Sequence, residues 1–340
     1  MNPRRLILYA PGIHIGGGLV LLRELLVGLA KERNIFLYYD IRCDTKEFSK
    51  FKNLTIVPIG RSYISRLFAE FLLMKARNTD TILCLHSLPP IFPIKAKCFV
   101  FCQNVFIVNQ DRLDIFSLKI RAKIIIERFI FKYALKKNIF YISQTQTMQN
   151  LIKRIKNSAD IKILGFSKTI KNDKKNLKNK WDFIYIASDL PHKNHIKLIE
   201  AWEMLAKENI YPKLLLITNL TNEKIKDSLR KFKERGFSNI YVFKNQPHEK
   251  MLTELLRSKA LIFPSLAESF GLPLIEAQNF NKPILASELD FVRDVCSPVD
   301  TFDPNSSISI ARAVKRFLGY SDIKDSNSNL PNLIKLLNIE

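Results

Sequence analysis

Short apolar runs alternate with segments of helical period along most of this sequence, and this alternation limits the possible folds more than any other feature. The runs form two series, the first at 5–10, 35–39, 54–58, 81–85 and 97–101, and the second at 183–187, 213–218, 240–243, 260–264 and 283–286. Strands that alternate with helices form parallel sheets covered by helices on both faces. We therefore expect an α/β fold with two Rossmann-like domains whose sheets face a cleft.

A lysine- and asparagine-rich passage separates the two series. It reads KTIKNDKKNLKNK at 168–180, a composition that buries little apolar surface. A chain of 340 residues also exceeds what one compact core usually holds. We therefore expect a first domain at 1–167 and a second at 168–340, whose last helix packs back on the first. In the first domain, a helix is expected at 19–31, after a glycine-rich turn.

The chain carries a large positive charge. Its 54 lysine and arginine residues outnumber 32 acidic residues, so the formal net charge is +22. Such self-repulsion is unfavourable for a soluble enzyme of neutral metabolites, so an anionic partner is expected. Nucleic acid, an acidic membrane face and phosphorylated substrates all fit this charge.

Cysteine usage and hydropathy indicate a cytoplasmic protein with no membrane span. The five cysteines lie mostly in apolar runs and lack the spacings of zinc sites and disulfide frameworks. Cys98 and Cys102 are a conceivable metal pair, but no second pair and no nearby histidine accompany them. The first apolar run, at 6–10, is too short for a signal-peptide core, and no run is long enough to cross a bilayer.

The stretch PSLAESFGLPLIE at 264–276 predicts a site for a negatively charged, hydroxyl-rich ligand. A helix is expected to begin near Gly271, with Pro273 in its first turn, where a missing N–H costs nothing. Unpaired amides at the positive end of a helix dipole form a phosphate site. Four amides would point outward in this way, those of Ser269, Phe270, Gly271 and Leu272.

Two glutamates flank this phosphate site. Glu268 precedes the expected helix, and Glu276 lies about two turns further along, at roughly 3.6 residues per turn. Carboxylates accept hydrogen bonds from sugar hydroxyls, so a ligand with a diphosphate between two sugars would satisfy both glutamates. Alternatively, Glu268 caps the helix and Glu276 is solvated, and spacing alone does not separate these interpretations.

These residues resemble a known signature. Glu268-(x7)-Glu276 within FPSLAESFGLPLIEA, followed by NKPILAS at 281–287, resembles the donor site of the retaining GT-B glycosyltransferases, called group 1 or family 4. The resemblance is specific over about 185–316 and looser before that. Three further segments extend it: HKNH at 192–195, LIEAW at 198–202 and TFDP at 301–304.

The resemblance implies the GT-B fold and a retaining hexosyltransferase activity. A nucleotide-sugar would bind the C-terminal domain and the acceptor mainly the N-terminal one. Glu276 would hold the ribose hydroxyls and Glu268 would contact the transferred sugar, while the amides at 270–272 would hold the β-phosphate. Lys193 would neutralise charge on the departing diphosphate. The plain alternative for Lys193 is a lysine in a polar loop.

Two positions depart from the family's pattern. Members usually carry an arginine a few residues before the lysine, but 187–191 reads ASDLP. Leaving-group stabilisation would then depend on Lys193 with the amides, or on another basic residue. Members also often carry a histidine after the strand ending near Phe101, where this chain has CQN at 102–104. Gln103 or Asn104 could bind a sugar hydroxyl there but could not carry a proton.

Two loops extend the expected donor site. Gly16-Gly17-Gly18 resembles the family's N-terminal glycine loop near the diphosphate, so Gly17 and Gly18 are donor-binding candidates, although three glycines also suit a flexible turn. Asn245, in KNQPH at 244–248, resembles the base-recognition turn. On the acceptor side His14 and His86 are candidates, with a structural or solvated role as the alternative.

The implied chemistry needs no clear protein nucleophile. The diphosphate leaves from the face that the acceptor hydroxyl enters, so catalysis consists of positioning and of stabilising leaving-group charge. Because no Asp-x-Asp pair occurs near a predicted site, we expect no cofactor and no metal dependence. Closure of the two domains over the donor is a further expectation. The expected setting is surface polysaccharide or lipopolysaccharide synthesis on a glycan or lipid-linked acceptor.

A basic segment at 112–137 suggests a use for the excess charge. Its lysines and arginines alternate with isoleucine and phenylalanine, which predicts a helix that docks on an anionic inner membrane face. The enzyme would then be peripheral on that face. The alternative is a core helix whose charged side is merely solvated.

Two other functions fit parts of the sequence. A non-catalytic, basic α/β protein could bind nucleic acid, but no recognised nucleic-acid motif accompanies the charge. A dinucleotide oxidoreductase would need the Gly-x-Gly-x-x-Gly fingerprint, which is absent. The glycosyltransferase, with no nucleic-acid partner, is therefore the preferred prediction.

Overall fold

The computed structural model describes residues 4–14, 16–29, 34–44, 46, 48, 51–52, 54–109, 113–133, 138–165, 177–244, 246–320 and 337. These residues form two parallel β-sheets, one built before residue 165 and one after residue 180. The α/β class, with two Rossmann-like sheets, is confirmed. The boundary near 167 and the segment after 320, apart from 337, lie outside the described residues.

The first sheet has seven parallel strands in the order β3-β2-β1-β4-β5-β6-β7. The strands are β1 (Leu6–Ala10), β2 (Ile35–Asp40), β3 (Leu54–Ile59), β4 (Thr81–Cys84), β5 (Lys97–Phe101), β6 (Ile139–Ser143) and β7 (Ile161–Ile163). The helices are α1 (Gly16–Leu29), α2 (Tyr63–Leu73), α3 (Val105–Val108), α4 (Leu118–Tyr133) and α5 (Gln146–Ile155).

The second sheet has six parallel strands in the order β10-β9-β8-β11-β12-β13. The strands are β8 (Trp181–Ile186), β9 (Leu214–Thr218), β10 (Ile240–Lys244), β11 (Ser258–Phe263), β12 (Ile284–Ser287) and β13 (Asp300–Phe302). The helices are α6 (His195–Lys207), α7 (Glu223–Glu234), α8 (His248–Leu256), α9 (Leu272–Asn279), α10 (Asp290–Arg293) and α11 (Ser307–Phe317).

Central strands are apolar on both faces because helices cover both. All five residues of β1, LILYA, and of β9, LLLIT, are buried, as expected for parallel sheets. In the first sheet, Leu8 and Ala10 pack in the core beneath α1, while Ile7 and Tyr9 pack in the core beneath α2 and α4. This alternation divides the first domain's core into two layers.

Each sheet has one point where the strand order reverses. In the first sheet it lies between β1 and β4, and in the second between β8 and β11. Ligands of doubly wound sheets bind at such points, outside the carboxyl ends of the strands. The loops that follow these four strands are therefore the positions to search for a site.

One helix start differs from the prediction. Helix α1 begins at Gly16 and not at Leu19, so the glycines form its first turn. Gly16 has a φ of +70°, a left-handed value that glycine adopts without strain. The predicted glycine loop is thus shorter, and Gly17 and Gly18 are helical.

Several contacts join the two domains. Ala267, from the loop after β11, packs into the core of the first domain. The Thr145 hydroxyl donates to the Ser269 carbonyl over 3.3 Å, and the Thr147 amide donates to Asp294 Oδ2 over 2.7 Å. The loop that holds the predicted phosphate site therefore lies at the interface. By contrast, the last long helix described, α11, packs on α6 within the second domain.

Candidate active site

The loops after β8 and β11 meet where the strand order of the second sheet reverses. Two predicted site residues, one from each loop, are in contact there. Lys193 Nζ lies 2.5 Å from Glu268 Oε1. Their side chains are only 17% and 11% exposed. Lys193 is therefore not a solvated loop lysine, and Glu268 is held by a cation and does not cap a helix.

The backbone around Lys193 is fixed by its neighbours. A 3₁₀ turn at Pro191–Lys193 ends at Asn194, whose φ of +60° is left-handed. The Asn194 side chain donates to the carbonyls of Pro264 (3.1 Å) and Pro304 (2.7 Å). The buried Tyr185 hydroxyl donates to the Lys193 carbonyl over 2.7 Å. Strand β8, the loop after β11 and the turn after β13 thus all position the lysine.

The start of α9 has the backbone geometry that the predicted phosphate site at 269–272, called the cradle below, requires. Gly271 is the N-cap, with a left-handed φ of +81°, and Pro273 lies in the first turn. Among the described residues, the amides of Ser269, Phe270, Gly271 and Leu272 donate to no protein acceptor. Four such donors at the positive end of a helix are available to an anionic ligand.

Glu276 lies on the second turn of α9 and is largely buried. Its Oε1 accepts a hydrogen bond from His248 Nε2 over 2.6 Å, and its side chain is 14% exposed. The interpretation of Glu276 as a solvated residue is therefore wrong. His248, the first residue of α8, fixes one carboxylate oxygen and leaves the other for a ligand.

The first domain contributes its glycine turn to the same region. A Cβ added to Gly17 would lie 3.0 Å from Leu272 Cδ1, and one added to Gly18 would lie 3.1 Å from Gln103 Oε1. Both donor-binding candidates of the first domain therefore lie against residues predicted for the site. Asn245, the candidate for base recognition, lies outside the described residues.

Two histidines beside Lys193 are buried and neutral. Burial lowers the pKa of both His192 and His195 to about 4. The His192 ring packs against Phe106 and Phe116 of the first domain, with centroids 4.9 and 6.2 Å apart. These histidines add no positive charge near neutral pH and act as packing groups behind the lysine.

The cysteines have no metal environment. All five are buried and free, and Cys98 has its nearest thiol at Cys84, with 3.8 Å between the Sγ atoms, not at Cys102. Burial raises the pKa of Cys102 to about 12. Within the described ranges, no group of three or more histidine, cysteine, aspartate or glutamate residues could hold a metal ion.

Two arginines of helix α4 hydrogen-bond to backbone carbonyls of the first domain. Arg121 donates to the Phe116 carbonyl over 2.7 Å, and Arg128 donates to the Phe106 carbonyl over 2.9 Å. These arginines stabilise the fold, and docking on a membrane stays a prediction. Arg112, Lys136 and Lys137 lie outside the described residues. Over the part of the chain that is described, no helix is long and apolar enough to cross a membrane.

Sequence reasoning missed several residues of the site. His248 was seen only as part of a base-recognition loop, and Tyr185 and Asn194 were not assigned roles. An asparagine directly before a helix is a weak signal of a left-handed cap. Nothing in the spacing indicated that His248 would reach Glu276, since the two are 28 residues apart.

Known proteins are similar to this chain in sequence and in fold. Residues 166–328 match the family described as glycosyl transferases group 1. Over 139 residues the chain is 27% identical to a serotype-specific mannosyltransferase, WbdA, of Escherichia coli, a match that covers 40% of this chain and 17% of that protein. The chain therefore spans less than a fifth of the curated relative that it matches.

Two solved structures are similar over nearly the whole chain. Anabaena HepE, in complex with UDP and glucose, aligns with a TM-score of 0.66 at 13% identity, covering 93% of this chain and 90% of HepE. WaaG, a glycosyltransferase involved in lipopolysaccharide biosynthesis, aligns with a TM-score of 0.65 at 14% identity, covering 92% and 90%. At these identities the similarity shows the fold, which is GT-B.

Proposed function

We propose that the chain is a retaining glycosyltransferase, on the ground that residues 166–328 match the group 1 glycosyltransferases. It transfers a hexosyl group from a nucleotide-diphosphate-sugar to a glycan or lipid-linked acceptor. The observation that carries this proposal is the Lys193–Glu268 pair beside the four unpartnered amides of the cradle. These groups lie together where the strand order of the second sheet reverses. The cation and the free amides suit the phosphates of a ligand, and the carboxylate suits its sugar hydroxyls.

The roles follow from these positions. The amides at 269–272 hold the diphosphate, and Glu276, oriented by His248, accepts hydrogen bonds from the ribose hydroxyls. Glu268 accepts hydrogen bonds from the transferred sugar. Lys193 carries three N–H donors, so it can keep Glu268 and reach a phosphate oxygen at the same time.

Lys193 stabilises the leaving group. As the glycosidic bond breaks, negative charge grows on the diphosphate, and an ammonium held in a largely buried site stabilises it more than water does. The acceptor hydroxyl attacks from the same face and gives its proton to the departing phosphate oxygen. Configuration at the transferred carbon is thereby retained. No metal ion is needed for these steps.

The biological setting is proposed from the relatives. WbdA is described as serotype-specific and WaaG as acting in lipopolysaccharide biosynthesis. We therefore place this enzyme in the synthesis of a surface polysaccharide or lipopolysaccharide. The alternative of a non-catalytic nucleic-acid-binding protein has no support from the matched family.

We further propose that the first domain docks on the anionic inner face of a membrane. Helices α2 and α4 pack on the same core cluster, so they lie on the same face of the sheet. Both expose large apolar side chains: Ile64, Leu67, Phe68 and Phe71 on α2, and Leu118, Ile125, Ile126 and Phe129 on α4. The exposed Lys119, Lys123 and Lys132 accompany them. An apolar, lysine-rich face of this kind binds anionic lipid.

Flotation with vesicles tests the docking. Vesicles with phosphatidylglycerol should carry the protein at low salt, and Phe129→Glu should weaken this, whereas Tyr241→Glu, an exposed site on the second domain, should not. Equal flotation of both variants, or none by the wild type, would exclude this surface.

Thermal shift with a panel of nucleotide-sugars tests the enzymatic proposal. One donor should raise the melting temperature, because a ligand that binds only the folded state stabilises it by mass action. Glu268→Gln should abolish donor hydrolysis and transfer, while Glu200→Gln, whose exposed carboxylate pairs with Lys197, should leave them unchanged. Unaltered turnover by Glu268→Gln would show that the site is misassigned.

A further inference from the structure

Three buried side-chain nitrogens near the carboxyl edge of the first sheet have no hydrogen-bond partner among the described residues. They are Arg66 Nε, His86 Nδ1 and Gln103 Nε2. Buried polar groups are paired in the great majority of cases, so each exception calls for an explanation. The three come from the start of α2 and from the loops after β4 and β5, all at the carboxyl edge of the first sheet.

A chain of contacts links these nitrogens to the donor cradle. Gly17 lies against Leu272, and Gly18 lies against the Gln103 amide. The backbone N–H of Gln103 donates to Ser87 Oγ over 2.8 Å, and Ser87 directly follows His86. The order outward from the cradle is thus Gln103, then His86. These contacts form a path of residues that leads from the cradle into the first domain.

Arg66 extends this path with a cation that forms no ion pair within the described residues. Its Nη2 lies 3.7 Å from the position that a Cβ would take at Gly12. Glu70, one turn further along α2, accepts hydrogen bonds from the Ile91 amide (3.1 Å) and from the Tyr9 hydroxyl. These two donors engage the Glu70 carboxylate, which forms no ion pair with Arg66.

His86 lies near Arg66 and is a neutral acceptor. Its ring packs edge-on against Tyr9, with centroids 5.0 Å apart. Burial, and then the nearby Arg66 charge, lower the pKa of His86 to about 3. The single N–H of this uncharged imidazole serves the Tyr9 backbone. The unpaired Nδ1 can therefore accept a hydrogen bond from the hydroxyl of an acid group such as a phosphate monoester, while the arginine supplies the positive charge.

We propose that Arg66 and His86 form a binding site for an oxyanion carried by the acceptor, a phosphate or carboxylate substituent. Gln103 binds a hydroxyl group of the same molecule, nearer the donor. The identity of the ligand as acceptor rests on the proposed function, whereas the anion site itself does not. Arg66 approaches Gly12, not Lys193, so it recognises substrate and does not stabilise the leaving group.

Calorimetric titration of the full chain with methyl phosphate and with acetate tests this site. Charged hydrogen bonds are worth about 1.5–3 kcal/mol, so Arg66→Gln should weaken the preferred probe by at least about tenfold. His86→Gln should weaken it several-fold. The matched control is Arg61→Gln, an exposed arginine just before the same helix, which should bind like the wild type. The stronger probe identifies the substituent as a phosphate or a carboxylate.

Two outcomes would overturn the site: binding by Arg66→Gln within twofold of the wild type, or an equal loss in Arg61→Gln. Because the cradle also attracts phosphate, the titrations are repeated with Lys193→Ala, which should keep the Arg66-dependent binding. Should Arg66→Gln fail to fold, Arg66→Lys and His86→Gln carry the test. If the protein shows Arg66-dependent binding but no nucleotide-sugar stabilises it, the proposed function is refuted and the anion site stands. If the protein turns over a donor but shows no Arg66-dependent binding, the anion site is refuted and the proposed function stands.

Discussion

Replacing Lys193 with alanine removes the side-chain cation that contacts Glu268 beside the cradle. The loss of a preorganised group that stabilises transition-state charge lowers kcat by about 100- to 1,000-fold, or about 2.7–4 kcal/mol. We expect this loss in kcat with a much smaller change in donor KM, because the diphosphate becomes fully charged only as the bond breaks.

The same replacement also destabilises the fold. Breaking a fully buried pair costs about 3–5 kcal/mol, and an exposed pair about 0–1 kcal/mol. With side chains 17% and 11% exposed, this pair lies between these limits, so about 1–3 kcal/mol is expected for the unpaired Glu268. Urea denaturation should measure this value.

The control for both effects is Lys197→Ala. Lys197 lies on α6 and pairs with Glu200, and these side chains are 40% and 42% exposed. An exposed pair of this kind contributes less than about 1 kcal/mol, and no change in kcat is expected. The reasoning would be refuted if Lys193→Ala turned over donor within about threefold of the wild type while remaining folded.

Three more changes test separate parts of the site. His248→Ala should raise donor KM several-fold with little change in kcat, because Glu276 loses its orienting bond; a fall in kcat alone would contradict this role. Gly17→Val should weaken nucleotide binding, since an added Cβ would lie 3.0 Å from Leu272, and unchanged binding in the thermal shift assay would show that the turn is not part of the site. Acidification should destabilise the protein from about pH 6.5 to 4, because burial lowers the pKa of both His192 and His195 to about 4 and the unfolded state then binds more protons. His192→Gln should reduce this loss of stability, and the His195 contribution should remain; urea midpoints that stay flat over this window in the wild type would contradict the burial.

Much of the fold was predictable because strand and helix periods are local properties of the sequence. The apolar runs at 35–39 and 97–101 became β2 and β5. Strands β6, β7 and β13 were not predicted. Two of them have only three residues, and such short strands carry little period of their own and depend on their neighbours in the sheet.

The candidate site was predictable where backbone geometry determines it. Gly271 and Pro273 fix the start of α9, and so the cradle could be located from sequence. Pairs such as Glu276 with His248 could not, because they depend on how separate strands are ordered in the sheet. The early start of α1 was missed because glycines usually indicate a turn, yet Gly16 can adopt the left-handed conformation from which the helix begins.

The unpartnered side-chain nitrogens of Arg66, His86 and Gln103 could not be predicted from the sequence either. His86 was a candidate for the acceptor side, but Arg66 was not, since an arginine inside an amphipathic helix usually faces solvent. Only the packing of α2 on the sheet turns its first turn toward His86.

The central claim is that the amides at 269–272 bind a diphosphate, and NMR titration of the ¹⁵N-labelled full chain with nucleoside diphosphates tests it most directly. For one base, the amide resonances of Ser269, Phe270, Gly271 and Leu272 should shift together and saturate, with Lys193→Ala weakening the titration. If a nucleotide binds while these four resonances remain unmoved, the cradle is not the donor site.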